Sequence, residues 1–479
     1  MTDPGSEKGA TMSDKKKQAQ PPVANDPRAL ALSTLLAVKR GQYGNIAVDT
    51  VLRRHELSDA DRNLYTALVY GVIERQVTLE FLLGLHASRP LDELDDTVRT
   101  ALCMGLYQLI YLDRVPDHAA LDRTVSLVPR RSSGFVNAVL RAYLRSETSF
   151  PARENTLRTP DEWIARYPVL ADRPDLAASV AYGIPLSLCR ILCEALGDRA
   201  DAAMAAFGEK PPITLRVNPL KSDRETVKKS LSDAGMTVLD GLYAPHALRV
   251  TSGVPIATDA FRDGVFFVQD EASQLCVAAL DAHAGDIVVD TCSCPGSKAF
   301  GIALDMENAG TVAAFDLHKS KLSLITANAE RLGISIITAA ERDARNPDPD
   351  LVGRCDRVLC DVPCSGLGVI AKKPEIRHKD LSESARLPAI QAAILEASAS
   401  YLKVGGVLVY STCTVLPAEN EEVVSAFLAK HPEFEPYDFT FPAGDTSVSD
   451  IRSVGGMVTL LPDQNRTDGF FIARLCRRS

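Results

Sequence analysis

The sequence predicts a three-part chain: a small all-α domain, a small α+β (RRM-like) linking domain, and a Rossmann-like α/β domain with a mostly parallel, doubly wound sheet. Three observations carry this. Apolar residues recur at helical spacing, without strand alternation, from residue 27 to 146. Short strand-like and helix-like runs mix between 150 and 265. From 266 to 479 strands and helices alternate, the pattern of a parallel sheet covered on both faces. The length agrees, since 479 residues at roughly 150 per domain makes about three domains.

Composition narrows the class. With 46% apolar and 24% charged residues, the chain has the means to bury several cores and is not a disordered or low-complexity polymer. No apolar run approaches the roughly 18 residues of a membrane span. The opening MTDPGSEKGATMSDKKKQAQPP has no apolar stretch behind its charges, so it does not read as a secretory signal, and a cytoplasmic protein is expected. A net charge of -9 argues against an indiscriminate nucleic-acid binder but leaves room for a local basic surface. Most of the eleven cysteines then read as small core residues, with a minority reactive.

Residues 1–25, with Lys15, Lys16 and Lys17 in a row, read as a solvated, disordered tail and not a binding arm. In DRNLYTALVYGVIER, Leu64, Leu68 and Val72 repeat every fourth residue beside Tyr65, Val69 and Ile73. PRALALSTLLAVKR, TVRTALCMGLYQLIYL and SGFVNAVLRAYLR are further helices. Arg outnumbers Lys fourteen to one over 27–146. Arg suits phosphates, so an RNA-facing surface is one reading and ordinary solvated helix faces are the other. In the linking region PITLRVN is a strand, SDRETVKKSLSDAGM a helix closed near Gly235, and GVFFVQD a strand. Beyond Asp286, DIVVD, TVAAF, SIITAA, DRVLCD and GGVLVYST are strands, with KSKLSLITANAERLG and LPAIQAAILEASASYLK among the helices between them.

Ligands of such sheets bind at the carboxyl ends of the strands. There the first strand leads into Asp290-Thr-Cys-Ser-Cys-Pro-Gly-Ser-Lys298, a loop whose Pro-Gly turn lets backbone approach a ligand. The second ends at Asp316, twenty residues after Gly296, the usual spacing for a carboxylate on ribose hydroxyls. Asp343 follows the third strand and Asp361 ends the fourth. Any one is commonly a cap or turn residue; four on one edge point to a nucleoside. Neither G-x-x-x-x-G-K-[ST] nor G-x-G-x-x-G is present, so a nucleoside without pyrophosphate, such as S-adenosylmethionine, fits best. Cys292 and Cys294 have no second Cys or His pair nearby, and no metal is expected.

Two thiols share that edge: Cys364 in DVPCSGLG and Cys413 at the end of VYSTC. Together, beside a nucleoside site, they indicate nucleophilic chemistry. Cytosine C5 is too poor a nucleophile to take a methyl group directly. A thiolate adding to C6 moves electron density to C5, an acid near N3 favours that addition, and a base then removes the C5 proton so that the thiolate leaves.

The stretches DVPCSGLGVIAKKPEIRH (361–378) and VYSTCTVLPAENE (409–421) resemble the RNA 5-methylcytosine methyltransferases of the RsmB/NOP (Sun/Fmu/Nop2) family. RVN (216–218), VQDEASQL (268–275) and TDGFFIARL (467–475) also match, and GFVNAVLR (134–141) is similar to the NusB-like domain found in that family. The resemblance covers nearly the whole chain from residue 27. It implies an S-adenosylmethionine-dependent methyltransferase acting on C5 of a 16S rRNA cytidine, at family position 967, before the small subunit is complete. It implies a monomer without membrane association. Residue by residue, it makes Cys413 the nucleophile, Cys364 the residue for product release, and Asp361 a contact to base and methyl donor. Cys292, Ser293, Cys294, Pro295, Gly296, Ser297 and Lys298 would surround the cofactor with Asp361, Asp316 at the ribose and Asp343 near the adenine. One departure stands out: the family loop C-A-A-P-G-G-K-T is here Cys292-Ser-Cys-Pro-Gly-Ser-Lys-Ala299, so a positive φ at 297 would strain Ser297, and Cys294 and Ser297 add bulk near the methionine moiety.

Other readings are a non-catalytic RNA-binding or ribosome-assembly protein with a degenerate cofactor loop, or the same chemistry on another rRNA or tRNA cytidine. RNA would be held by the Arg-rich helices, by Arg216 and Lys221, and by the Lys372-Lys373 to Arg377 segment.

Overall fold

The computed structural model describes residues 25–146 and 157–478; residues 1–24 of the expected tail lie outside them. The chain forms two compact units, residues 1–72 with 86–149, and residues 73–85 with 150–479.

The first unit holds α1 (Pro27–Lys39), α2 (Gly44–Arg54), the first half of α3 (Asp59–Gly84), α4 (Asp96–Tyr111), α5 (Asp117–Ser126) and α6 (Arg130–Arg145). Asp26 and Asp95 start α1 and α4 by accepting the free N–H groups of Arg28 and Thr97. Tyr65, Leu68, Val69 and Val72 are buried, as their spacing predicts.

In the second unit the remainder of α3 packs with α7 (Pro160–Arg166), α8 (Pro174–Tyr182), α9 (Leu186–Leu196) and α10 (Ala200–Ala206). Thr78 Oγ1 donates to Val180 O at 2.7 Å, and Phe81 lies edge-on to Trp163 and Tyr167. The linking layer follows as β1 (Ile213–Val217), α11 (Arg224–Asp233), β2 (Thr237–Asp240), β3 (Ala247–Ser252), α12 (Asp259–Arg262) and β4 (Phe266–Val268). Its strands run antiparallel in the order β2-β3-β1-β4, the ferredoxin-like arrangement. Asp223 caps α11. One face, with Leu215, Val217, Val238, Leu248, Val250 and Phe266, buries Val227 and Leu231 of that helix. Since β4 lies past residue 265, this sheet takes a strand from beyond the boundary that the sequence pattern implies.

After α13 (Glu271–Leu280) comes the large sheet. Its strands are β5 (Ile287–Asp290), β6 (Thr311–Asp316), β7 (Ile337–Glu341), β8 (Cys355–Asp361), β9 (Leu402–Thr412), β10 (Phe434–Pro436), β13 (Met457–Leu460) and β14 (Phe470–Arg477); β11 (Thr440–Phe441) and β12 (Ile451–Arg452) pair separately. The order is β10-β14-β9-β8-β5-β6-β7, with β13 on β14. Strands β5 to β9 are parallel, and β14 runs antiparallel to β9. The helices α14 (Ser297–Asp305), α15 (Lys319–Leu332), α16 (Leu387–Ala399) and α17 (Glu421–Lys430) complete the connections. Alternate strand residues enter two cores: Val288, Leu359 and Val409 one, Val289, Cys360 and Tyr410 the other. Burial on both faces explains the near-continuous apolar runs. No single helix among the described residues is long and apolar enough to cross a membrane.

Candidate active site

The parallel register brings the carboxyl ends of five strands level. Asp290 lies opposite Leu359, Asp361 opposite Ser411, and Asp316 opposite Glu341. All four predicted aspartates thus reach one edge, Asp343 from the loop just past β7.

At its centre Lys298 Nζ meets Asp361 Oδ2 at 2.7 Å, and the other Asp361 oxygen accepts from Ser411 Oγ at 2.7 Å. The ammonium also stands over the Phe470 ring, 5.1 Å from its centre. Burial opposes the lysine's charge, but Asp361 more than offsets it and raises its pKa. Asp290 is 1% exposed, and its carboxyl is approached by the Ser293 hydroxyl and the Cys292 N–H without a well-aligned hydrogen bond. Burial pushes it up to about 7.

The sulfurs of Cys364 and Cys413 lie 3.2 Å apart, where the loops after β8 and β9 converge. Their asymmetry is electrostatic. Cys413 is lowered, first by the Cys364 S–H donating to it and then by Lys298 and Lys373. Cys364 is raised by that same hydrogen bond, by burial, and by Glu419 and Asp361. Of the two thiols, Cys413 is thus the one whose surroundings favour the thiolate. Burial instead raises Cys292 and Cys294, as expected of inert thiols.

A polar lattice that sequence reasoning missed holds these two loops. Glu419 Oε2 accepts from Ser365 N at 3.0 Å and Gln391 Nε2 at 2.8 Å. Ser365 Oγ meets Thr414 Oγ1 at 2.7 Å, and Asn420 bridges Thr412 Oγ1 and Thr414 O at 2.6 and 3.1 Å. Glu419 and Asn420 stand in the PAENE run, a visible signal whose role the chain order did not disclose. Gly368 N holds Cys413 O at 2.9 Å, and Gly469 N holds Gly368 O at 2.8 Å. A Cβ on Gly368 would fall 1.9 Å from Gly469 O, and one on Gly469 2.7 Å from Gly368 Cα.

The loop over 292–298 corrects one expectation. The positive φ falls on Gly296 (104°), while Ser297 opens α14 and is absent from the residues with positive φ. Ser297 is therefore unstrained. Its carbonyl accepts from Gln269 Nε2 at 3.0 Å. The Cys294 thiol lies 3.8 Å from Lys321 O, at the start of α15.

The residues present fit S-adenosylmethionine. The buried Asp290 carboxyl, without a well-aligned hydrogen bond, and an Asp316 that uses only Oδ1 (on His318 N) offer polar atoms with open valence. Asp343 is more occupied, since both of its oxygens take Arg345. No group of three His, Cys, Asp or Glu among the described residues is arranged to hold a metal ion.

Four cations expected to grip RNA serve the fold instead. Arg216 is buried, donating to Gly301 O and pairing with Asp305. Lys221 donates to Asp263 O and Arg331 O, each at 2.7 Å. Lys372 joins Asp270 and Asp468. Arg377 holds Glu74 O, Tyr182 O and Phe207 O. Only Lys373 of that segment stays exposed.

Comparison with known proteins agrees with this geometry. Residues 277–476 match the family model "16S rRNA methyltransferase RsmB/F", 25–145 match "NusB family", and 184–257 match an RsmF/B-like ferredoxin-like domain. The chain is 36% identical over 460 residues to "Probable ribosomal RNA small subunit methyltransferase B" of Bacillus subtilis, covering 94% of this chain and 98% of that one. It is 32% identical to the "Ribosomal RNA small subunit methyltransferase B" of Klebsiella pneumoniae, over 89% and 92%. Among solved structures it resembles PH0851, with a TM-score of 0.76 at 24% identity, covering 96% of this chain and all of that one.

Proposed function

Since the chain belongs to the RsmB/F family of 16S rRNA methyltransferases, we propose that it methylates C5 of a 16S rRNA cytidine, the family position 967, through a covalent bond between Cys413 and C6. The observation that carries this reading is the close pair of thiols beside the Lys298–Asp361 ion pair at the strand edge. S-adenosylmethionine, when bound along 292–298 with Asp316, Asp343 and Asp361, supplies an electrophilic methyl group.

The chain's own residues do the rest. The Cys413 thiolate, favoured by the Cys364 S–H and two lysines, adds to C6. Asp361, fixed by Lys298 and Ser411, faces the N3 edge and favours the N3-protonated form that the addition requires. Once C5 carries the methyl group, its proton passes to water acting as base, the C5–H pair restores the C5=C6 bond, the C6–S pair returns to Cys413, and the Cys364 S–H hydrogen-bonds to that departing thiolate. That is how Cys364 serves product release. The cytosine must leave any stack to reach this depth, which costs a few kcal/mol and least in a loop. The enzyme then acts on rRNA not yet packed into the finished subunit, and as a monomer.

Bisulfite sequencing of rRNA with and without the gene tests the reaction. Cys413→Ala should abolish methylation and adduct, whereas Cys364→Ala should accumulate a denaturant-resistant protein–RNA adduct. Adduct from Cys413→Ala but never from Cys364→Ala would reverse the two roles.

A further inference from the structure

One face of the ferredoxin-like sheet is only half covered. Arg216 on β1 and its partner Phe267 on β4 share this face and are packed against the catalytic fold, through Asp305 and edge-on to Phe300. Farther along, Thr214 on β1 stands opposite Arg249 on β3, with Thr251 two residues on. That half opens into a cleft of about 260 Å³ whose far wall includes Gly368, the residue whose N–H holds the Cys413 carbonyl. Gly368 thus joins the cleft to the Cys413 backbone.

Its charges are distinctive in a chain of net charge -9. The side chains of Lys210 and Arg249 line it without a hydrogen bond or close ion pair among the described residues, Lys210 feeling Glu74 at longer range. Arg466 adds a third cation, which donates to Ser447 Oγ at 3.2 Å and faces Asp445 and Tyr243. Asp445 feels both arginines without pairing with Arg249. Of the lining carboxylates, Asp270 and Asp468 share the single charge of Lys372, Glu271 is held by the Tyr243 and Ala244 N–H groups, and Glu209 is exposed beside Lys210. RRM-type sheets take single-stranded RNA on aromatic residues of this face, which stack on bases. Here the open half offers Arg and Thr instead, chemistry for a phosphate and not for a base.

Resting on the methyltransferase reading above, we propose that this cleft binds a backbone phosphodiester of the single-stranded RNA flanking the extruded cytidine, through Arg249 and Lys210. The nucleotide beside the target is then held by its backbone, without base readout, while its neighbour occupies the thiol site.

The test compares the full-length protein with Lys210→Ala/Arg249→Ala on an RNA hairpin carrying the target cytidine in its loop, with single methylphosphonate linkages placed in turn on either side of it. Losing the grip on one phosphate of single-stranded RNA should lower the slope of log K against log salt by about 0.7. Affinity should fall on the order of tenfold near physiological salt, with S-adenosylmethionine binding and melting temperature unchanged. One neutral linkage should weaken the parent protein but not the double variant. Equal salt slopes, or a linkage scan that affects both proteins alike, would overturn the proposal. Failure of the parent protein to methylate any 16S rRNA cytidine would instead overturn the reading it rests on, while the binding slopes would still judge the cleft.

Discussion

Replacing Lys298 by Met keeps the length of the side chain and removes its charge, leaving Asp361 with Ser411 alone. At 2.7 Å and an effective dielectric constant of about 20, the gross attraction is roughly 6 kcal/mol. Desolvation of an ammonium that is 12% exposed cancels part of it. Removing one member of a buried pair typically costs about 3–5 kcal/mol, and Asp361, 24% exposed, keeps some water, so about 3 kcal/mol is expected. For a region of about 200 residues that corresponds to a fall in Tm of roughly 6–12 °C by calorimetry. Lys298→Met/Asp361→Asn should recover most of it, because no uncompensated charge remains. The same pair acts on the Cys413 thiol with opposite signs: Lys298 lowers it and Asp361 raises it. Alkylation of Cys413 by iodoacetamide should therefore need a higher pH in Lys298→Met and move back down in the double variant. A double variant as unstable as the single one, with an unmoved alkylation midpoint, would show that Lys298 works by packing and refute the reasoning.

The folded-state pKa of Asp290, about 7, lies above the unfolded value near 3.9, so its stabilising contribution is complete below the latter and lost as pH rises through the former. Asp290→Asn should thus gain over the parent with rising pH, by roughly 2–4 kcal/mol at pH 8 and less at pH 5; a pH-independent difference in Tm would contradict this. Glu419→Gln weakens a charge-assisted hold on the loop before Gly366 and should cost about 1–2 kcal/mol. Faster hydrogen exchange at the Ser365 amide is its signature, and unchanged exchange would show that the loop is held elsewhere.

The strand-edge aspartates and both thiols were legible because a parallel sheet converts sequence position at a strand's end into spatial position. Charge was not. Arg216, Lys221, Lys372 and Arg377 look like any solvent-facing cations in the chain, and what occupies them lies 42 to 303 residues away. Local pattern carries no such information. Ser297 misled for a smaller reason: a two-glycine loop does not say which glycine bears the positive φ, and here it is Gly296. The border near residue 146 also hides a shared element, since α3 gives residues 73–84 to the second unit, where Phe81 meets Trp163. Excising residues 1–146 would strip that packing, so removal of the amino-terminal domain is no clean probe of its role.

The back-to-back glycines 368 and 469 have a consequence for inheritance. Each obstructs a side chain on the other with backbone atoms, not with a side chain of its own. No compensating second mutation can therefore rescue a first, and the two codons are constrained jointly without ever being able to covary. In descendants of this gene, drift at either one should mark loss of the closed thiol loop before any change at the cysteines themselves.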